Sequence, residues 1–150
     1  WLEEQNLSKD VPYLKFLSTE ELDLIKVKVK DGLCYLTQNE QDTLINYNGP
    51  DEYIFNIDLK GNLLLVPATK LIHHVSISHG KPVLGCGNMV VRDGVIEKIE
   101  LESGHYLPSI EDGKQVVKIL LDLGILLPAT TSFCYYDDGV KYHTTIKDFL

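Results

Sequence analysis

The residues best suited to chemistry in this chain are histidines, and most of them fall between residues 73 and 108. His73, His74 and His79 lie close together, and His105 follows within the sequence Ser-Gly-His-Tyr-Leu-Pro. Imidazole can act as a general acid or base, hold a polar ligand or bind a metal ion. The chain therefore carries one histidine-rich region whose two parts are separated in sequence.

A β-hairpin pattern lies between these two parts. The run Val90–Ile96 (VVRDGVI) places Asp93-Gly94 between apolar residues, which is typical of a two-residue hairpin turn. A hairpin brings its ends together, so we expect both parts to form one cluster. The candidate catalytic residues are His105, His74 and Tyr106, and the candidate ligand-binding residues are Ser76, Ser103, Gly104 and Gly87.

The pattern leaves three interpretations of this cluster open. His105 could be the acid–base residue of a hydrolase or group transferase, with Tyr106 or Ser76 positioning the substrate. The same side chains could hold a small polar ligand or a protein. They could also be purely structural, because a histidine and a tyrosine can fix the corner between a hairpin and a helix.

The cysteines argue against a metal site and against a disulfide framework. Cys34, Cys86 and Cys134 make an odd count without a CxxC pair, and neither HxH nor HExxH occurs. We expect no metal and no cofactor. Cys86 lies between two glycines, where it is either a nucleophile with His74 or His105 as its base, or a small buried apolar residue.

The amino-acid composition limits the classes of partner that the chain is expected to bind. Fourteen basic residues face 22 acidic ones, for a net charge of −8, which argues against nucleic acid and anionic membranes. No stretch approaches the roughly 20 apolar residues of a membrane span. We therefore expect a single globular domain over residues 1–150, a cytoplasmic location, and a protein or small polar ligand as the partner.

Alternating apolar runs predict an α+β fold with a mainly antiparallel sheet built from several β-hairpins. Gly and Asp occupy the turns between the paired runs. The predicted strand pairs are Leu24–Lys30 with Leu33–Leu36, Tyr53–Ile57 with Leu63–Val66, Met89–Val91 with Val95–Leu101, and Phe133–Tyr136 with Val140–Ile146.

Two helices are predicted beside the strands. A capping-box pattern at Ser18 indicates a short N-terminal helix. One long helix over about 109–123 is expected to pack on the sheet, with Ser109 as its N-cap and Gly124 as its stop. Its expected apolar stripe comprises Val116, Val117, Leu120, Leu121 and Leu123.

The chain resembles a conserved domain of plant IQ-motif-containing calmodulin-binding proteins, and similar domains of bacterial effectors and polymorphic toxins. The run Ser103–Pro108 (SGHYLP) matches the family's Ser-Gly-His-Tyr-x-Pro motif in full, and Tyr53–Val66 is similar to its first strand pair. His74 and Ser76 fit its His-Ser-Ser run, although Val75 replaces the first serine. The likeness spans roughly residues 1–127.

The resemblance implies an α+β domain with a shared His/Ser/Tyr cluster and brings no established reaction. The IQ motif itself is absent from these residues, so we do not expect calmodulin as a partner. We expect a binding, regulatory or effector domain that is cytoplasmic, or delivered into a host cytosol if it is a bacterial effector.

Overall fold

The computed structural model describes residues 18–38, 40–46, 52–67, 83–101 and 109–150. These segments are mostly β-sheet with three short helices. The elements are α1 (Thr19–Leu24), β1 (Lys28–Lys30), β2 (Leu33–Gln38), β3 (Gln41–Leu44), β4 (Tyr53–Ile57), β5 (Leu63–Pro67), β6 (Gly85–Arg92), β7 (Val95–Leu101), α2 (Ile110–Asp122), β8 (Ser132–Asp137), β9 (Val140–Thr145) and α3 (Ile146–Phe149).

The strands form two sheets rather than one. Strands β1, β2 and β3 make a three-stranded sheet, and the others make a six-stranded sheet in the order β5-β4-β6-β7-β8-β9. Every pair is antiparallel except β7 with β8, which run parallel. A parallel pair needs a crossover, and α2 lies in the connection between these two strands. The predicted antiparallel sheet is therefore confirmed in its main part, within a mixed sheet.

The predicted turns have the backbone that their residues favour. Asp93 and Gly94 have φ values of 50° and 78°, and Asp138 and Gly139 have 52° and 79°. Positive φ at both central residues defines the turn that matches the right-handed twist of hairpin strands. Asp-Gly pairs thus fixed three of the hairpin turns, including the one at residues 31 and 32.

Several element bounds differ from the predictions, and one hairpin was not predicted. Leu24 ends α1 instead of beginning a strand, and β1 starts at Lys28. Ile146 begins α3, because the Thr145 hydroxyl accepts a hydrogen bond from the Asp148 N–H and caps a helical turn there. The hairpin of β2 and β3, which turns through Glu40 at φ 64°, was not predicted.

Both predicted helices exist, but neither is long. Ser18 caps α1 in a capping box with Glu21, and Ser109 caps α2 in one with Asp112. Helix α2 has 13 residues, close to the average for globular proteins, so the expectation of a long helix was wrong. Gly124 at φ 89° follows its last turn and provides the left-handed stop.

Helix α2 packs on one face of the large sheet. Val116, Val117 and Leu120 are buried there, whereas Leu121 is 45% exposed and lies outside the packed stripe. The helix approaches closely at Gly85, where a Cβ would lie 2.6 Å from Cγ2 of Val116. The sheet side of this core includes Phe55, Ile57, Leu65, Met89, Val91, Ile99 and Phe133.

The small sheet is attached to the large one at the turn between β6 and β7. The Gly94 N–H donates to the Ile45 carbonyl, and the Cys34 N–H donates to the Gly94 carbonyl, both at 2.8 Å. A Cβ on Gly94 would lie 2.5 Å from Cδ2 of Leu44 and 3.1 Å from Cβ of Leu33. Only glycine therefore fits this contact without movement of its neighbours.

We predict that Gly94→Ala lowers the free energy of unfolding by about 2–3 kcal/mol, because it combines backbone strain with steric overlap. Gly61→Ala is the matched control, since Gly61 has a similar φ of 83° with no atom within 4 Å of an added Cβ. It should cost only about 1 kcal/mol. Urea denaturation followed by circular dichroism measures both, and equal losses would show that the contact at Gly94 contributes nothing.

Candidate functional site

The predicted His/Ser/Tyr cluster lies almost entirely outside the described residues. Only Gly87, in β6, is among them. The candidates beyond the described segments are His74, Ser76, Ser103, Gly104, His105 and Tyr106. Their catalytic and ligand-binding roles therefore stay predictions.

The hairpin that was predicted to join the two parts of the cluster is confirmed. Strand β6 pairs with β7 from Arg92 opposite Val95 to Gly87 opposite Leu101. The chain thus leaves β7 beside the beginning of β6. The residues that flank the two histidine-bearing segments at this end of the sheet are neighbours.

Gly87 lies where β6 and β7 approach each other most closely. A Cβ at this position would overlap the carbonyl oxygen of Glu100 and lie 3.0 Å from the Leu101 Cα. The absence of a side chain is thus required by strand packing. A contact between Gly87 and a ligand stays a prediction beside this structural role.

The face of the large sheet opposite α2 carries an unusual number of polar side chains. Residues that alternate with the apolar core positions along β4 and β6 to β9 point to this face. We call it the polar face. Its members are Asn56, Cys86, Asn88, Lys98, Glu100, Cys134, Lys141 and His143.

Strand register places half of these residues in one row. Asn88 is opposite Glu100, Glu100 is opposite Cys134, and Cys134 is opposite His143. Asn56 and Cys134 are buried, at 1% and 2% exposure. Burying polar groups is costly unless they are hydrogen-bonded, so each buried polar side chain on this face needs a partner.

Ion pairs cross the polar face from β4 to β9. Lys98 Nζ lies 2.8 Å from Glu52 Oε1 and 3.5 Å from Glu100 Oε2, and Lys141 also donates to Glu100. The hydrogen bond from Lys141 is the main reason that the pKa of Glu100 is lowered. The carboxylates of Glu52 and Glu100 in turn raise the pKa of Lys98 and Lys141 respectively.

Cys134 and His143 form a contact at the outer end of the row, with Sγ 3.0 Å from Nδ1. Desolvation by burial raises the pKa of the Cys134 thiol, and the nearby Glu100 carboxylate raises it further. The raised pKa keeps the thiol protonated at neutral pH. A buried, protonated thiol lacks the depressed pKa of a catalytic nucleophile.

Most of the polar face was not predicted from the sequence, although two sequence patterns indicated it. Asn56 interrupts the apolar strand Tyr53–Ile57, and Lys98 and Glu100 alternate with Ile99 along β7. His143 is the one histidine that lies outside the histidine-rich region between residues 73 and 108. Its pairing with Cys134 depends on the register of β8 and β9.

The part of the chain that the structure describes contains neither a metal site nor a membrane-spanning helix. No three His, Cys, Asp or Glu side chains converge there in a way that could hold a metal ion. Within the same residues no helix has the length and apolar character needed to cross a membrane. The cysteines described, Cys34, Cys86 and Cys134, form no disulfide.

The fold and this face define an α+β domain with a mixed sheet. Helix α2 packs on one side of the sheet, and the other side carries an apolar cluster beside α1 together with the row of polar residues. A family model described as the IQ motif-containing protein middle domain matches residues 21–113, which is more than half of the chain. The chain belongs to this family.

Three IQ domain-containing proteins of Arabidopsis thaliana are similar to the chain. IQM1 is 32% identical, IQM4 30% and IQM5 26%, each over 108 residues and 71% of this chain. The chain spans only about a fifth of the length of these relatives, at 22%, 20% and 21%. No solved structure matches the chain significantly.

The family corrects one expectation about partners. Calmodulin was set aside because the IQ motif is absent from these 150 residues. The relatives carry IQ domains by name, and the chain corresponds to about a fifth of each. The missing motif in this part therefore gives no reason to exclude calmodulin.

We predict that Glu100→Gln lowers the free energy of unfolding at pH 7 by about 1 kcal/mol, because two lysines lose their shared carboxylate. The pKa of Glu100 is lowered in the folded state, so its stabilisation is present above the ordinary value of 4.5 and is lost as the pH falls through the lower folded-state pKa. Below about pH 4.5 the variant should therefore lose less stability than the wild type.

Glu97→Gln is the control for this experiment. Glu97 pairs with Arg92 at 2.6 Å, but both side chains are about half exposed. Its stability should change by no more than about 0.5 kcal/mol. Urea titrations at several pH values from 7 to 3 measure the free energy of unfolding of each variant. If Glu100→Gln showed the same pH dependence as the wild type, Glu100 would not contribute to acid sensitivity.

We predict that Cys134 reacts slowly with iodoacetamide in the folded protein at pH 7.5, because the thiol is buried and its pKa is raised. Cys34, whose pKa burial raises to about 12, should behave in the same way. Peptide mapping by mass spectrometry should show labelling at least about tenfold faster in urea for both. Rapid labelling of native Cys134 would contradict the protonated pair with His143.

Proposed function

We propose that this chain is a binding module, in which the polar face and the His/Ser/Tyr cluster together hold a protein partner or a small polar ligand. One observation carries the proposal. Strands β6 to β9 place a row of polar residues on the face opposite α2, in which Asn88 and Glu100 are half-buried, Cys134 is buried and His143 is exposed.

Geometry relates this face to the cluster predicted from sequence. Leu101 ends β7 opposite Gly87, at the same end of the sheet as Cys86. Ser103, Gly104, His105 and Tyr106 follow Leu101 in the sequence within five residues. In this proposal His74 and Ser76 complete the site from the segment that precedes β6, and Gly87 lies beneath it.

Binding fits the described chemistry better than catalysis. The nucleophile–histidine pair in the described residues has a protonated thiol, and its histidine lies on the outermost strand. A hydrolase or group transferase would use His105 as its acid–base residue, and a purely architectural cluster would leave binding to other surfaces. These two alternatives give different results in the experiment below.

The partner class follows from family and charge. The relatives are IQ domain-containing proteins, which supports a protein partner, and calmodulin is a candidate for a longer protein that includes an IQ motif. The net charge of −8 argues against nucleic acid and anionic membranes as partners. We place the module in the cytoplasm, or in a host cytosol if it is an effector.

We predict that at least one of two probes, AMP or glucose, moves the ring signals of His74 and His105 together in a two-dimensional NMR titration. His105→Ala and Asn88→Ala should each weaken that binding at least about tenfold, because each removes a polar contact at the same site. The melting temperature of both variants should stay within a few degrees of the wild type.

Lys118→Ala is the control, since Lys118 is exposed on α2, on the opposite side of the sheet. It should bind each probe as the wild type does. Conversion of a probe to product would support the enzyme alternative. Independent titration of the two histidines, no effect of any probe and an unfolded His105→Ala variant would together show that the cluster is architectural.

A further inference from the structure

The two edges of the six-stranded sheet differ in how their backbone is used. At the β5 edge the chain before β1 adds a short strand-like segment: the Val27 N–H donates to the Leu63 carbonyl at 2.9 Å, and the Leu65 N–H donates to the Ile25 carbonyl at 3.0 Å. Lys26 forms a β-bridge with Leu64 there. Among the residues described, no backbone group bonds to the outer side of β9, the other edge.

Register identifies which β9 groups point outward. The Ile146 N–H donates to the Thr131 carbonyl, and the pairing continues through Thr144 opposite Phe133 and Tyr142 opposite Tyr135. Hydrogen-bonded and non-hydrogen-bonded pairs alternate along an antiparallel ladder. Tyr142 and Thr144 therefore bond to β8, while Lys141 and His143 direct their N–H and C=O groups away from the sheet.

The side chains that would ordinarily guard such an edge are held inward. A lysine on an edge strand usually discourages pairing because its charge projects beyond the edge. Here Lys141 donates to Glu100, two strands away, and the imidazole of His143 contacts the Cys134 thiol. The backbone between them is consequently left open to an approaching strand.

The two faces of this edge set the chemistry of a pairing strand. On the core side, Tyr142 is 45% exposed and stacks on Tyr135 with ring centroids 5.5 Å apart, and Val140 is 54% exposed. On the polar side lie Lys141 and His143, and β9 itself contains no acidic residue. An apolar residue opposite Tyr142, flanked by acidic residues opposite Lys141 and His143, fits both faces.

We propose that the outer edge of β9 binds an extended acidic–apolar peptide segment of a partner protein by adding it to the sheet as a further strand. A second copy of the chain fits less well. One six-residue strand edge offers far less than the roughly 1,200 Å² buried in stable dimers. The proposal concerns backbone groups and does not rest on the ligand of the polar face.

The test uses the peptide acetyl-Glu-Val-Glu-Val-Glu-amide and the ¹⁵N-labelled chain. The expected result is a shift of the Lys141 and His143 amide signals on titration, and slower hydrogen exchange of both amides in the complex. A peptide N-methylated on alternate residues, which cannot form the ladder, should not bind. Its Lys-Val-Lys-Val-Lys counterpart should bind at least about tenfold more weakly because its lysines would face the ammonium group of Lys141.

Two variants at position 143 distinguish the contribution of the backbone N–H to peptide binding from that of the side chain. His143→Pro removes the outward N–H, which an edge strand tolerates, and should weaken binding at least about tenfold. His143→Ala loses the same imidazole and the contact with Cys134 but keeps the N–H, so its Kd should stay within about threefold. Asn88→Ala, on the polar face, should bind the peptide normally even if it loses the probes of the proposed function.

Four results would overturn the proposal. These are equal losses in His143→Pro and His143→Ala, peptide-induced shifts confined to other strands, and no binding of the Glu-Val peptide by the wild type. The fourth is protection of the Lys141 and His143 amides in the free protein at every concentration, which would show that another segment of the chain already fills the edge. Protection that appears only at high concentration, with a faster-sedimenting species, would replace the peptide by a second copy.

Discussion

The arrangement of the two sheets depends on the Asp93-Gly94 turn. Its glycine is hydrogen-bonded on both sides, through its N–H to Ile45 and through its carbonyl to Cys34, so the end of the β6–β7 hairpin completes a ladder within the small sheet. The same hairpin supplies two central strands of the large sheet. A single supersecondary unit thus connects both sheets, and its small turn residue permits the close contact with Leu33 and Leu44.

The two faces of the large sheet differ in the residues that they carry. The α2 side buries a continuous apolar core in which Phe55, Met89 and Phe133 are fully enclosed. The other side gives up part of that hydrophobic gain, because Asn88, Glu100 and Cys134 occupy positions where aliphatic residues would pack as well or better. The buried apolar residues of this second face, Ile54, Leu64 and Val66, lie on β4 and β5 at one side of the sheet.

The two edges of the large sheet also differ in how far their outer backbone groups are covered. The β5 edge is covered by residues 25–27, which lie between α1 and β1, and the hydrophobic residues of α1 pack beside it against Ile54, Leu64 and Val66. The β9 edge keeps its outward amides, and the aromatic series from Phe149 through Phe133 and Tyr135 to Tyr142 reaches it along the core side. Rigid aromatic support beneath an open strand lowers the entropic cost of adding another strand.

The sequence by itself determined the local elements. Asp-Gly pairs fixed the hairpin turns because few residues adopt positive φ at low energetic cost. Ser18, Ser109 and Gly124 fixed helix ends, because only certain side chains or conformations satisfy the backbone groups that have no partner within the helix. It also carried the resemblance to the IQ motif-containing family. Only the tertiary structure decided the split into two sheets, the parallel pairing of β7 with β8, and the meeting of Glu100, Cys134 and His143. Those features depend on contacts between residues far apart in the chain, where strand order and register, rather than local backbone preference, set which side chains meet.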